Sequence, residues 1–139
     1  HQLDILDYLL GPIVEAKGMA ANQAGLYQAE DIVTGTFRFA EGRVQGTGVW
    51  SFAVDSHEGR DRIEIIGEKG RIQFACFALD DPVVVTREGK VEEKHFTMPT
   101  HVQQPLIQTI VDQLLGQGEC PSTGKSGART SWVMEQLSR

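Results

Sequence analysis

Asp31-Ile-Val-Thr-Gly-Thr-Phe-Arg-Phe-Ala-Glu-Gly42-Arg-Val-Gln-Gly-Thr-Gly-Val-Trp-Ser-Phe-Ala-Val54 is the stretch that decides the fold. In its first half Val33, Phe37 and Phe39 fall on one side of an extended chain, and Thr34, Thr36 and Arg38 on the other. That period of two is the signature of a half-buried strand. Glu41-Gly42 reads as a short hairpin turn, with glycine supplying the positive φ. The returning run places Val44, Trp50, Phe52 and Val54 on one face, and Gln45, Thr47 and Ser51 on the opposite one. Gly46-Thr-Gly48 lies inside this run, lacks the third glycine of a dinucleotide fingerprint and opens no helix. Glycines so placed let another backbone or side chain approach closely.

Outward from this hairpin the same pattern repeats. Val14 to Ala24 is a further strand candidate upstream, rich in small residues and interrupted by Gly18. Downstream, Arg62 to Ile66, a turn at Glu68-Lys69-Gly70, and Arg71 to Phe77 form a second hairpin. Pro82 opens Val83 to Thr86, Glu88-Gly89 turns the chain, and Val91 to Phe96 returns. About seven strands joined by short turns predict antiparallel pairing. No helix separates them, which argues against a parallel doubly wound sheet.

Helices flank the strands. Leu3, Leu6 and Leu10 lay one apolar stripe along the opening segment, which Gly11-Pro12 ends. Nothing ahead of His1 caps its first turn, so the sequence reads as a piece of a longer protein. Leu106, Ile107, Ile110, Val111, Leu114 and Leu115 make a strongly amphipathic helix that begins near Gln104, with Pro105 in its first turn and Gly116 beyond its end. A last helix, about Ser126 to Leu137, stacks Ala128, Trp132 or Val133, and Leu137 on one side. The expectation is a single α+β domain over residues 1–139, a large, mostly antiparallel open sheet with helices packed on one face. The other face, with Thr34, Thr36, Arg38, Thr47 and Ser51, is then either solvated or the contact of a homo-oligomer.

Composition narrows the function classes. A net charge of -6, evenly spread, argues against nucleic acid, which calls for a basic stripe. No stretch approaches the ~20 apolar residues of a membrane helix. Cys76 and Cys120 are too few for a disulfide framework or a zinc site. Cys76, in the run Ile72-Gln-Phe74-Ala-Cys76, reads as a buried free thiol, and a reducing cytoplasm fits.

Ser122-Thr-Gly-Lys-Ser126 ends like a phosphate-binding loop, but position 119 is Glu where that motif needs Gly, and the segment joins two helices. His57, His95 and His101 are scattered, so no metal site is expected; His101 stands just before a helix, as a surface cap or a substrate contact. His1 and Asp4, at i and i+3, share a helix face, where a carboxylate can orient an imidazole suited to acid–base work near neutral pH. On pattern alone Asp4 and Asp7 read more simply as polar-face residues. Lys17, Arg38, Trp50 and Arg62 join His101 as polar candidates for a substrate pocket.

These residues carry a resemblance. His1-Gln-Leu-Asp4-Ile-Leu-Asp7-Tyr8-Leu-Leu-Gly11, the Asp31–Gly42 strand and hairpin, Ile63-Glu-Ile-Ile-Gly67-Glu-Lys-Gly70-Arg-Ile, and Gly118-Glu-Cys-Pro-Ser-Thr-Gly124 resemble, in that order, the C-terminal domain of the glucose–fructose oxidoreductase/inositol dehydrogenase (Gfo/Idh/MocA) family. The resemblance implies an NAD(P)-dependent oxidoreductase of two domains. An N-terminal Rossmann domain would carry the NAD or NADP, and this domain would supply a substrate wall and an oligomerising sheet. It sets His1 on the family's active-site histidine, which assists proton transfer at the substrate hydroxyl, and Asp4 on a second acidic position. The aspartate usual four residues before that histidine and the Rossmann-side lysine are missing, so this chain alone is expected to bind no cofactor and to be inert. The rival reading is a non-catalytic ligand-binding or dimerisation module.

Overall fold

The computed structural model describes residues 1–139, which divide into two compact units. One comprises His1, 3–59 and 121–139; the other comprises Gln2 and 60–120.

All but the first residue of α1, Gln2–Leu10, belongs to the first unit, and the helix buries Leu3 and Asp7. Gly11 at φ 86° and Pro12 end it, since only glycine takes that φ without strain. Strands β1 (Ile13–Ala21), β2 (Ile32–Phe39) and β3 (Gln45–Ser51) pair antiparallel in the order β1-β2-β3. Gly18 faces Gly35 and Gly35 faces Gly48, while Val33 faces Trp50. Helix α3, Gly124–Leu137, crosses one side of β1 and β2. Its core partners are Leu3, Ile13, Phe37 and Phe39, met by Val133 and Leu137. Phe37 and Phe39 pack edge to face with ring centres 5.8 Å apart.

The glycines of the hairpin have definite occupants. A Cβ on Gly46 would stand 2.2 Å from the Phe37 ring, and one on Gly48 would stand 2.3 Å from the Trp50 ring. The close approach expected of Gly46-Thr-Gly48 is therefore made by two aromatic side chains.

In the second unit β4 (Ile63–Gly67), β5 (Gly70–Phe74), β6 (Val83–Arg87) and β7 (Lys90–Lys94) pair antiparallel in sequence order. Glu88 at φ 51° and Gly89 at φ 76° form the two-residue turn that suits strand twist. Helix α2 spans Gln104–Leu114 and buries none of its residues; Leu106, Ile107, Ile110, Val111, Leu114 and Leu115 stay at least one third exposed.

The α+β class and antiparallel pairing follow the sequence reading, but the strands form two ladders, of three and four, in place of one large sheet. The chain between them, 52–62, is polar from Asp55 onward and makes local turns. Strand β3 stops at Ser51, so Phe52 and Val54 lie outside it and are exposed. Helix α3 begins two residues before Ser126 because Thr123 caps it: Ser126 N–H donates to Thr123 Oγ1 at 3.2 Å, and Thr123 N–H to Ser126 Oγ at 3.0 Å. Val133 and Leu137 form its buried side, whereas Ala128 and Trp132 face outward. Cys76 is only partly buried, past the end of β5; Cys120 is the buried thiol.

Candidate functional site

The face of α1 that carries His1 and Asp4 is fastened to α3. His1 stands at the helix start, exposed, and its carbonyl accepts the Ile5 N–H at 3.0 Å. One turn on, Asp4 Oδ1 accepts from Thr130 Oγ1 at 3.0 Å. One turn further, Asp7 meets Arg129: Oδ1 accepts from Nε at 2.8 Å and Oδ2 from Nη2 at 2.5 Å. Asp7 Oδ1 also accepts the Ile13 N–H at 2.9 Å, joining helix to strand across Gly11-Pro12.

Asp7 is thus no polar-face residue; it is 6% exposed. Burial pushes its carboxyl up, but the Arg129 guanidinium and the Ile13 amide outweigh that and hold it below the usual carboxylate range. The sequence carried a signal for this. Asp7 lies four residues after Leu3 and three before Leu10, on the apolar stripe itself. A charge in such a place needs a partner. Arg129, four residues before Val133, has the same position on α3.

The far side of the β1-β2-β3 sheet is open. A groove of about 520 Å³ lies there, among Glu15, Lys17, Thr36, Arg38, Gln45 and Thr47. Arg38 and Glu15 form a two-pronged ion pair across β1 and β2, which lowers the Glu15 carboxyl. His101 belongs to the second unit; it is exposed, and its carbonyl accepts the Gln104 N–H at 2.9 Å ahead of α2.

Two lookalike sites are spent on structure. Thr123 and Ser126, the hydroxyls of the phosphate-loop resemblance, form the cap of α3. Asp55 Oδ1 and Ser56 Oγ both approach His57 Nδ1, at 2.9 and 3.5 Å, whereas a nucleophile relay needs its acid and its hydroxyl on opposite ring nitrogens. No three His, Cys, Asp or Glu side chains gather closely enough to hold a metal ion. No helix is long and apolar enough to cross a membrane.

A dinucleotide does not fit this chain's own glycines. The space over Gly46 and Gly48, which a pyrophosphate would need, is filled by Phe37 and Trp50.

Comparisons with known proteins agree with this architecture. Residues 1–73 match the GFO/IDH/MocA C-terminal domain. The chain is 28% identical over 135 residues to Oxidoreductase P35 of Formosa agariphila, covering 97% of this chain and 40% of that protein. The fold is similar to UDP-N-acetylglucosamine 3-dehydrogenase from Acidithiobacillus ferrooxidans, with TM-score 0.81 and 16% identity over 99% of this chain and 43% of the other. It is also similar to the WlbA dehydrogenase of Bordetella pertussis, solved with NADH and UDP-GlcNAcA, with TM-score 0.71 and 22% identity over 99% and 39% of the two chains. The chain therefore spans about two fifths of the length of these relatives. It belongs to the GFO/IDH/MocA C-terminal domain family.

Proposed function

We propose that this chain is the C-terminal, substrate-facing part of an NAD(P)-dependent oxidoreductase that acts on a carbinol or carbonyl of a sugar or polyol. What carries the reading is the His1–Asp4 helix face, which the family match includes and which α3 holds in place. A sugar-type substrate agrees with the UDP-sugars named for the two structural neighbours. The cofactor belongs to a Rossmann domain outside these residues, where the nicotinamide supplies hydride exchange with the substrate carbon.

This chain's part is positioning and one proton. In the oxidative direction the substrate hydroxyl gives its proton to the His1 imidazole as the carbonyl forms; in the reductive direction the imidazolium returns it. Asp4 supports that end of the helix. The open face of β1-β2-β3, with Thr36, Arg38 and Thr47, serves self-association.

Calorimetric titration tests the division of labour. NADH and NADPH titrated into this chain should give no heat of binding, and into the full-length protein a saturable one. Tight binding to the 139 residues alone would overturn the reading.

A further inference from the structure

A carboxylate on the apolar stripe of a helix is costly unless paired. Asp7 has both oxygens committed, to the two prongs of Arg129 and to the Ile13 amide. An apolar pair of similar volume would serve stability as well or better. It would not serve direction: apolar packing tolerates small rotations, whereas a planar fork on a planar carboxylate fixes an angle as well as a distance.

Direction matters here because of what lies on the preceding turns of the same helix. Asp7, Asp4 and His1 follow one another at intervals of three along α1. Asp7 and Asp4 meet Arg129 and Thr130, adjacent residues of α3. Two anchor points in sequence on both helices oppose rolling of α1 about its axis and sliding along α3. The third position in the series is His1, whose backbone α1 already holds through Ile5.

We propose that Asp7 and Arg129 are positioning residues: their pair sets the roll of α1, and with it the direction in which the His1 imidazole points. The proposal rests on the reading of His1 as the proton-handling group. Neither residue touches substrate; both act through the helix.

The test uses the full-length protein with UDP-N-acetylglucosamine and NAD⁺ as turnover probes, thermal denaturation to establish folding, and NMR relaxation of the His1 ring. The double variant D7N/R129Q keeps an acceptor for the Ile13 amide but removes the charged fork. It should stay folded, lose about 10²-fold in kcat with little change in KM, and show a more mobile His1 ring. R129K, which keeps the charge without the fork, should fall between it and wild type. A folded D7N/R129Q with wild-type kcat and ring order overturns the proposal. Where the double variant does not fold, a folded R129K with wild-type ring order does so. Where the probe is not turned over, ring order decides. The single variant H1A separates the two claims: full turnover in H1A defeats the reading of His1, whereas an inactive H1A beside a fully active, rigid D7N/R129Q defeats the positioning role alone.

Discussion

Gly18 lies directly under the last turn of α3, where a Cβ would stand 2.2 Å from the carbonyl oxygen of Leu137. The helix end rests on bare backbone. Its neighbour in the ladder, Gly35, is closed in by the Leu137 side chain at 2.3 Å from a Cβ.

Gly18→Ala should therefore cost about 2 kcal/mol, since the obstacle is backbone and the helix must lift. Gly35→Ala meets the end of a flexible side chain as well as the Lys17 carbonyl, and should cost about half as much. Urea denaturation of both variants measures the difference; equal stability to the parent in Gly18→Ala would contradict the packing described.

Stability should respond to acid through Asp7. Its folded carboxyl titrates below the ~3.9 of an unfolded chain. The contribution is therefore present above the unfolded value and is lost as pH falls through the folded one. Arg129→Met should destabilise by roughly 3 kcal/mol at neutral pH, because it strands a buried carboxylate. In that variant burial acts unopposed by the guanidinium and raises the carboxyl, so the loss relative to wild type should shrink as pH is lowered. Denaturation curves between neutral pH and the acid limb check the sign.

Asp31 ties down the segment between β1 and β2. Its carboxylate accepts the Gln23 and Ala24 amides, both at 2.7 Å, which lowers its pKa. Asp31→Ala should speed hydrogen exchange at those two amides and open 22–30 to proteolysis, while Asp31→Asn, which keeps one acceptor, should do so less. Unchanged exchange at both amides in Asp31→Ala would refute the tether.

Thr123→Ala removes the cap of α3 and should cost about 1 kcal/mol. Thr123→Ser should recover most of it. Thermal denaturation ranks the three proteins, and equal midpoints would contradict the cap.

Much of this was legible in the residues because period and punctuation are local. The alternation in Val33, Phe37 and Phe39 names the buried side of β2, and Gly11-Pro12 and Gly116 name two helix ends. The seven strands were readable, but not their division after Ser51, since pairing across 52–62 is a non-local choice that no alternation records. The apolar face of α2 has the strongest helical periodicity in the chain, yet it buries nothing here: periodicity reports what a helix can cover, not what covers it. Asp7 departs from the polar-face expectation for another reason. A carboxylate is read as polar-face by type, and only its position on the Leu3–Leu10 stripe, together with an arginine 122 residues away, shows that it is buried.

The pH dependence of kcat in the full-length protein, compared between wild type and His1→Asn, tests the proton-handling role of His1 most directly. Asparagine keeps a polar side chain but cannot exchange a proton near neutrality. His1→Asn should lose about 10²–10⁴-fold in kcat, and the limb due to the imidazole should disappear. Equal turnover with the same limb would contradict that role.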